Sequence, residues 1–327
     1  LHCKVGFVDV GAELRIPPVF DNADDFSGSL ARVKFNGAYG YIDMNGNMAV
    51  PAIYDGADSF SEGRARVIGS NDKWGFVDAT GNMAVPAIYD SALRFRGGLA
   101  RVNFNGRWGF VDAAGNMTIA AMYDNVDDFF ESLARISLNG KCGFIDATGN
   151  MVIPAVYEGA DSFAGGLARV MESKDKWGFV DSRGKMAIPA TYHGAESFAE
   201  GLARVELNGK YGYINTRGDM TVPAVYRGGD SFAEGLARVI GLDDKWGFVD
   251  ARGNMVIPAI YDWANAFVEG MAHIRVNKRH GFVDVGGNIT VPIDYDSADD
   301  FSEGIVRVEI NGAYGYVDTK GRQYWED

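Results

Sequence analysis

Arginine, carboxylate and histidine are the residues of this chain whose types and spacing could do chemistry. Arginine recurs as Arg32, Arg66, Arg101, Arg135, Arg169, Arg204, Arg238 and Arg307, with steps of 34 or 35 residues once His273 is counted as the one departure from the column. A mostly acidic column accompanies it: Asp24, Asp58, Asp127, Asp161, Glu196, Asp230 and Asp299. Where arginine gives way to His273 the acid gives way to Asn265, which predicts that the two columns pair, although Leu93 beside Arg101 breaks the match. Planar guanidinium and carboxylate groups form forked, charge-assisted hydrogen bonds. The expectation is a structural ladder of Arg–carboxylate pairs, each arginine also lying against the facing Phe or Tyr. The sharper alternative is an anion-binding stripe.

Carboxylates can also serve as general acids and bases. Asp9, Asp43, Asp78, Asp112, Asp146, Asp181, Asp250, Asp284 and Asp318 form one column, but Asn215 takes the place once. Asparagine keeps the acceptor and loses the proton chemistry, so this column reads as a turn device. The acids Asp55, Asp90, Asp124 and Asp262 have counterparts Glu158, His193 and Arg227; tolerance of a sign reversal marks a solvated position. His273 and His280 can meet across one hairpin beside Lys278 and Arg279, but no third ligand at metal spacing accompanies them. The pairs Asp24-Asp25, Asp127-Asp128 and Asp299-Asp300 lack the alternating oxygens and glycine of a calcium loop. No phosphate-binding loop, zinc-protease or nucleophile-elbow motif occurs. Cys3 and Cys142 cannot make a disulfide framework, and Cys142, in a column that mostly holds Trp or Tyr, reads as a buried apolar residue. The sequence therefore assigns no catalytic, cofactor-binding or metal residue, and no cofactor. Trp263 stands where its column otherwise holds Gly, Ser or Asn. It either fills a local gap or is an exposed contact residue, and together with His273 and His280 it is the contact candidate.

The elements that must position these columns follow from ten glycines, Gly6, Gly40, Gly75, Gly109, Gly143, Gly178, Gly212, Gly247, Gly281 and Gly315, spaced 34 or 35 residues apart. A fixed period of this length means a repeat array. In the unit from Leu202 to Gly235, Leu202-Ala203-Arg204-Val205-Glu206 alternates as a strand and Asn208-Gly209 signals a two-residue type I′ turn. Tyr211-Gly212-Tyr213-Ile214 returns antiparallel, which sets Val205 opposite Gly212 and Arg204 opposite Tyr213. Asn215 to Gly218 turns the chain again, and Met220-Thr221-Val222 is a third short strand ended by Pro223. A connector carrying Tyr226 and Phe232 leads onward. Proline recurs after the third strand from Pro17 to Pro292, with Ala120 the exception, and longer loops at 69–72, 172–175 and 241–244 account for the 35-residue steps. Phenylalanine fills one connector column without exception: Phe26, Phe60, Phe95, Phe129, Phe163, Phe198, Phe232, Phe267 and Phe301. A ring in every unit is a packing device, and three strands apolar on both faces cannot stand alone.

The chain of 327 residues carries the repeat without a linker, so one continuous array, 1–327, of about nine and a half units is expected, with the N-terminal unit incomplete. Opening on a second strand points to a removed leader or upstream segment. A hydrophobic content of 47% permits ample burial, and no apolar run reaches the length of a membrane-spanning helix. A net charge of -13 argues against nucleic acid and anionic membrane surfaces, both of which demand clustered Lys and Arg.

Lys-Trp-Gly-Phe-Val-Asp, at Lys73 to Asp78, Lys176 to Asp181 and Lys245 to Asp250, followed by Gly-Asn-Met and Pro-Ala-x-Tyr, resembles the bacterial WG-repeat family, also called KWG repeats. Units with Tyr39, Tyr211, Tyr314, Val5, Cys142 or His280 depart from the Trp. The resemblance implies a bacterial β-type interaction module with no catalytic residues to transfer. The sequence does not name a compartment; the cell envelope or the exterior of a bacterium is favoured over the cytoplasm. The reading is an all-β fold: tandem 34/35-residue three-stranded repeats stacked as an open twisted superhelix, with a closed β-propeller-like toroid as the alternative. The expected role is a non-enzymatic scaffold for a protein partner or for end-to-end self-assembly. A cell-envelope glycan is the alternative ligand.

Overall fold

Antiparallel hairpins dominate because the turn residues demand them. Asn208 and Gly209 both take positive φ, 53° and 73°, the paired left-handed geometry of a type I′ turn. Leu202–Leu207 and Lys210–Asn215 then pair with Val205 opposite Gly212 and Arg204 opposite Tyr213. The computed structural model describes residues 4–325, so His2 and Cys3 lie outside the described residues. Among the described residues there are nine four-stranded antiparallel sheets and one two-stranded sheet. Among the described residues no helix is long and apolar enough to cross a membrane.

Two compact units divide the chain, Leu1–Val156 and Tyr157–Asp327. In the first, the two-stranded sheet Val5–Val8/Leu14–Phe20 is followed by four-stranded sheets that begin at Asn22, Gly56, Ser91 and Asn125. In the second, four-stranded sheets begin at Gly159, Gly194, Gly228, Trp263 and Ser297.

Each four-stranded sheet carries one strand more than the three expected. The connector supplies it: Gly228–Gly229 pairs with Ile240 and Val239, and Asp230 N–H donates to the Arg238 carbonyl at 3.0 Å. A second type I′ turn, with Glu234 at φ 53° and Gly235 at φ 81°, then leads into the first strand. Glutamate at positive φ is uncommon, which is why this turn is hard to read from residue type.

The third strand does not stop at proline; it runs on as Met220–Tyr226. Tyr213 faces Val222 while Tyr211 faces Tyr226, so two steps on one strand match four on the other and Pro223 occupies a bulge. A bulge has no ladder hydrogen bond for proline to lose. The motif glycine is explained by the same bulge. A Cβ on Gly212 would stand 2.6 Å from the Val222 carbonyl oxygen and 2.7 Å from Ala224 N, closer than atoms pack.

The core sits between consecutive sheets. Leu202, Tyr213 and Val222 of one unit close against Phe232, Ala237, Val239 and Val249 of the next. The phenylalanine column is part of this seam. Phe26, Phe60 and Phe129 are half-buried and the other six are buried. Most meet the Phe or Tyr of the preceding sheet, as Phe76–Phe95 at 4.8 Å and Tyr213–Phe232 at 5.0 Å between centroids, edge-on. Stacking on a neighbour is what makes each unit stable.

Candidate functional site

In a regular unit the polar columns are used up by inter-unit ties. Arg204 binds Glu196 of its own unit and donates to the Gly229 carbonyl of the next. Arg32, Arg66, Arg169 and Arg238 repeat the arrangement with Asp24, Asp58, Asp161 and Asp230 and with the carbonyls of Ala57, Ala92, Ala195 and Ala264. Arg135 holds Asp127 at 2.6 Å. Arg101, whose own unit has Leu93 in place of the acid, reaches forward to Asp128 at 2.8 Å and to the Val126 carbonyl at 2.9 Å. Arg307 lies over Tyr314 at 4.2 Å and, among the described residues, makes no ion pair with Asp299.

The aromatic partner is not the facing ring. Arg66, Arg169 and Arg238 lie over Trp74, Trp177 and Trp246 at 4.1, 4.1 and 4.3 Å, and Arg204 over Tyr211 at 4.9 Å. These rings are diagonal to the arginine, because the facing Phe or Tyr is turned into the seam between sheets. The four motif tryptophans, Trp74, Trp108, Trp177 and Trp246, are half-buried.

The turn carboxylates act as acceptors. Asp78 Oδ1 takes the N–H groups of Thr80 and Asn82, each at 2.9 Å, and Asn215 Oδ1 takes those of Arg217 and Asp219 at 2.9 and 3.0 Å. The Thr80 hydroxyl leads the hydrogen bonds that draw Asp78 down to about 2, outside the range of a general base at neutral pH.

Two further ladders went unrecognised in the sequence. The acid after the connector tyrosine is not merely solvated: Asp90 pairs with Lys73, Asp124 with Arg107, Asp262 with Lys245 and Asp296 with Arg279. Asp262 and Asp296 also accept a hairpin-tip N–H from the following unit, Asn277 and Asn311, both at 2.7 Å. Where the sign reverses, Arg227 turns to Asp244 at 2.8 Å. A constant separation of 17 residues between base and acid was the available signal. The second ladder is made by turn glutamates. Glu62 accepts the N–H groups of Gly97 and Gly98 at 2.8 and 2.9 Å, Glu200 those of Glu234 and Gly235 at 2.9 Å, and Glu269 those of Glu303 and Gly304 at 3.0 and 2.8 Å.

One unit departs in four columns at once, and the departures meet. His273 replaces the arginine, His280 the tryptophan, Asn265 the acid, and Trp263 the small residue; all four line one cleft of about 410 Å³ with Arg275, Asp299 and Asp300. His273 Nε2 and His280 Nδ1 are 2.8 Å apart, so one imidazole donates and the other accepts. The His273 ring stacks on Phe282 at 4.7 Å and meets the Trp263 edge at 5.1 Å. Asn265 donates to Asp300 at 2.9 Å, and Asp300 lies 3.8 Å from His273 Nδ1. Burial first, then neighbouring His280, pushes His273 down from 6.5 to about 4, and burial also lowers His280. Both rings are therefore neutral at pH 7. Trp263 is half-buried, with Arg275 5.9 Å from its centroid. Among the described residues no group of three or more His, Cys, Asp or Glu is placed to hold a metal ion.

Four-stranded units joined by seams of rings and ladders of charge define an all-β repeat protein. Nine stretches, 6–37, 39–73, 74–108, 108–142, 143–176, 177–211, 211–246, 246–279 and 281–312, match the model of the WG containing repeat, and the chain belongs to that family. No curated protein matches it. Among solved structures, the eukaryotic initiation factor is similar at 12% identity over 98% of this chain and 92% of that one, with a TM-score of 0.46. The computationally designed Ika8 protein is similar at 11% identity over 93% and 95%, TM-score 0.37, and BamB from Moraxella catarrhalis at 14% over 69% and 78%, TM-score 0.34. All three scores lie below 0.5, and nothing about this chain follows from them.

Proposed function

We propose that the chain is a non-enzymatic scaffold that holds a protein partner, with the cleft of Trp263, His273 and His280 as its contact surface. The observation that carries this reading is the concerted departure of four columns in one unit, which exchanges an Arg–Trp stack for a neutral imidazole pair beside a half-buried indole. A rigid ring with a polar rim is the composition of a binding hot spot. Catalysis is disfavoured because His273 is only 5% exposed and its Nε2 is taken up by His280. A sugar platform on the motif tryptophans is disfavoured because arginine covers one face of Trp74, Trp177 and Trp246.

The test exchanges Trp263→Ser, the residue its column carries elsewhere, and compares wild type and variant in crosslinking to native extract, on a glycan array and in sedimentation. Capture of a defined protein, weakened by about tenfold or more in the variant at an unchanged thermal midpoint, is the expected result. Glycan retention without protein capture, or capture that W263S leaves untouched, overturns the assignment. Self-association lost in W263S would make the partner a second copy.

A further inference from the structure

A second departure lies in the first compact unit. Where other repeats carry an acid or Asn, then Ser, Asp or Ala, then Phe, this one reads Leu93-Arg94-Phe95-Arg96. The column of Arg96 elsewhere holds Ser, Ala, Phe or Val, so neither new arginine has a cationic counterpart in any other unit. Both line a cleft of about 540 Å³ together with the ladder residues Arg66 and Arg101.

The charge balance of that cleft is unusual for a chain of net charge -13. Four guanidiniums face two carboxylates, Asp58 and Asp128. Arg66 is matched by Asp58 and Arg101 by Asp128, so the ladder consumes both acids. Arg96 touches Asp128 only through one Nη1 at 3.4 Å, with its side chain 65% exposed. Arg94 is exposed and, among the described residues, has no acid or carbonyl partner. Leu93 is the reason for the surplus: the acid that would neutralise the site is missing from its own unit.

We infer that this cleft binds a phosphate-type oxyanion between Arg94 and Arg96. Each guanidinium offers a planar fork of N–H donors that matches a phosphate oxyanion with two parallel bonds; the Arg94 fork has no partner among the described residues, and Arg96, lying 5.9 Å from the Phe130 ring centroid, spends one Nη1 on a long contact to Asp128 and keeps its other donors. Phe95, buried beneath them in the seam, holds the segment that carries both. The anion chemistry stands on these residues alone; that the anion sits on a segment of a protein partner rests on the scaffold reading above.

The experiment titrates the full chain with inorganic phosphate, with a phosphoserine peptide and with the same peptide carrying glutamate. It uses wild type, the double variant Arg94→Ser with Arg96→Ala, and Arg204→Met as a control. The phosphoserine peptide is expected to bind wild type in a salt-sensitive manner, and R94S/R96A to lose about tenfold or more in affinity at an unchanged thermal midpoint, because both side chains are exposed. R204M should melt earlier and bind as wild type does. Binding of inorganic phosphate as tight as that of the peptide keeps the oxyanion site and removes the protein segment as its source. Equal or tighter binding of the glutamate peptide, equal affinity in R94S/R96A, or no binding by wild type overturns the inference.

Discussion

His273 shows what a single exchange does to the chemistry of a repeated position. In other units a guanidinium, charged at any ordinary pH by its own basicity, meets acid and carbonyl oxygens; here the imidazole is buried against Phe282 and faces His280, Asp299, Asp300 and Arg275. Burial and the neighbouring His280 dominate over the two partly solvated acids, so protonation is disfavoured in the folded state. The unfolded chain then binds the proton more readily between about pH 6.5 and 4, so stability falls as pH drops through that window. With the ring held near 4, the loss amounts to at most about 3 kcal/mol. Urea unfolding across that range should show the slope in wild type, and His273→Phe should flatten it, leaving only what the carboxylates and His280 contribute. An identical slope in the variant would place the titration elsewhere.

At the scale of the element, the turn between connector and first strand is the junction device. Its two left-handed residues point both N–H groups at the carboxylate of the preceding turn, as Glu234 and Gly235 do toward Glu200. The column holds glycine at Gly165, so the N–H groups of Glu200 and Gly201 lack the carboxylate that sister turns receive. Gly165 already has φ +64°, and a Cβ there meets only Phe198 Cβ at an ordinary 3.4 Å. Gly165→Glu should therefore add the missing clasp and raise stability by about 0.5–1 kcal/mol, the net of two charge-assisted bonds against left-handed strain. Chemical denaturation measures it; a decrease would mean that the turn cannot accept the clasp.

At the scale of the molecule, each seam joins only adjacent units, and stability in such arrays is a sum of units and nearest-neighbour interfaces. In the second compact unit the seam of Leu202, Tyr213 and Val222 has its equivalent one period later in Leu236, Phe248 and Ile257. Excision of residues 202–235 places Leu236 directly after Gly201, in the same column and turn. The shortened chain should keep its strand content per residue by circular dichroism and unfold cooperatively. Collapse to a disordered chain would show that contacts beyond nearest neighbours hold the fold together.

The sequence alone determined the period, the all-β class, the hairpin register and the phenylalanine seam. Turn chemistry at Asn208-Gly209 and strand alternation act between residues close in the chain, and repetition across units exposes any position that cannot vary. It also placed His273, His280 and Trp263 apart from the rest, because an array provides its own standard of comparison. Only the tertiary structure decided the fourth strand, the bulge that carries proline, the ring under each arginine and the two ladders through Lys73 and Glu62. The ladders join atoms 17 to 36 residues apart whose approach is set by how one sheet lies on the next, and the fourth strand and the bulge rest on pairing that residue type does not announce. The same stacking gathers Leu93, Arg94 and Arg96 with Arg66 and Arg101 into one cleft, a juxtaposition that spacing along the chain does not encode.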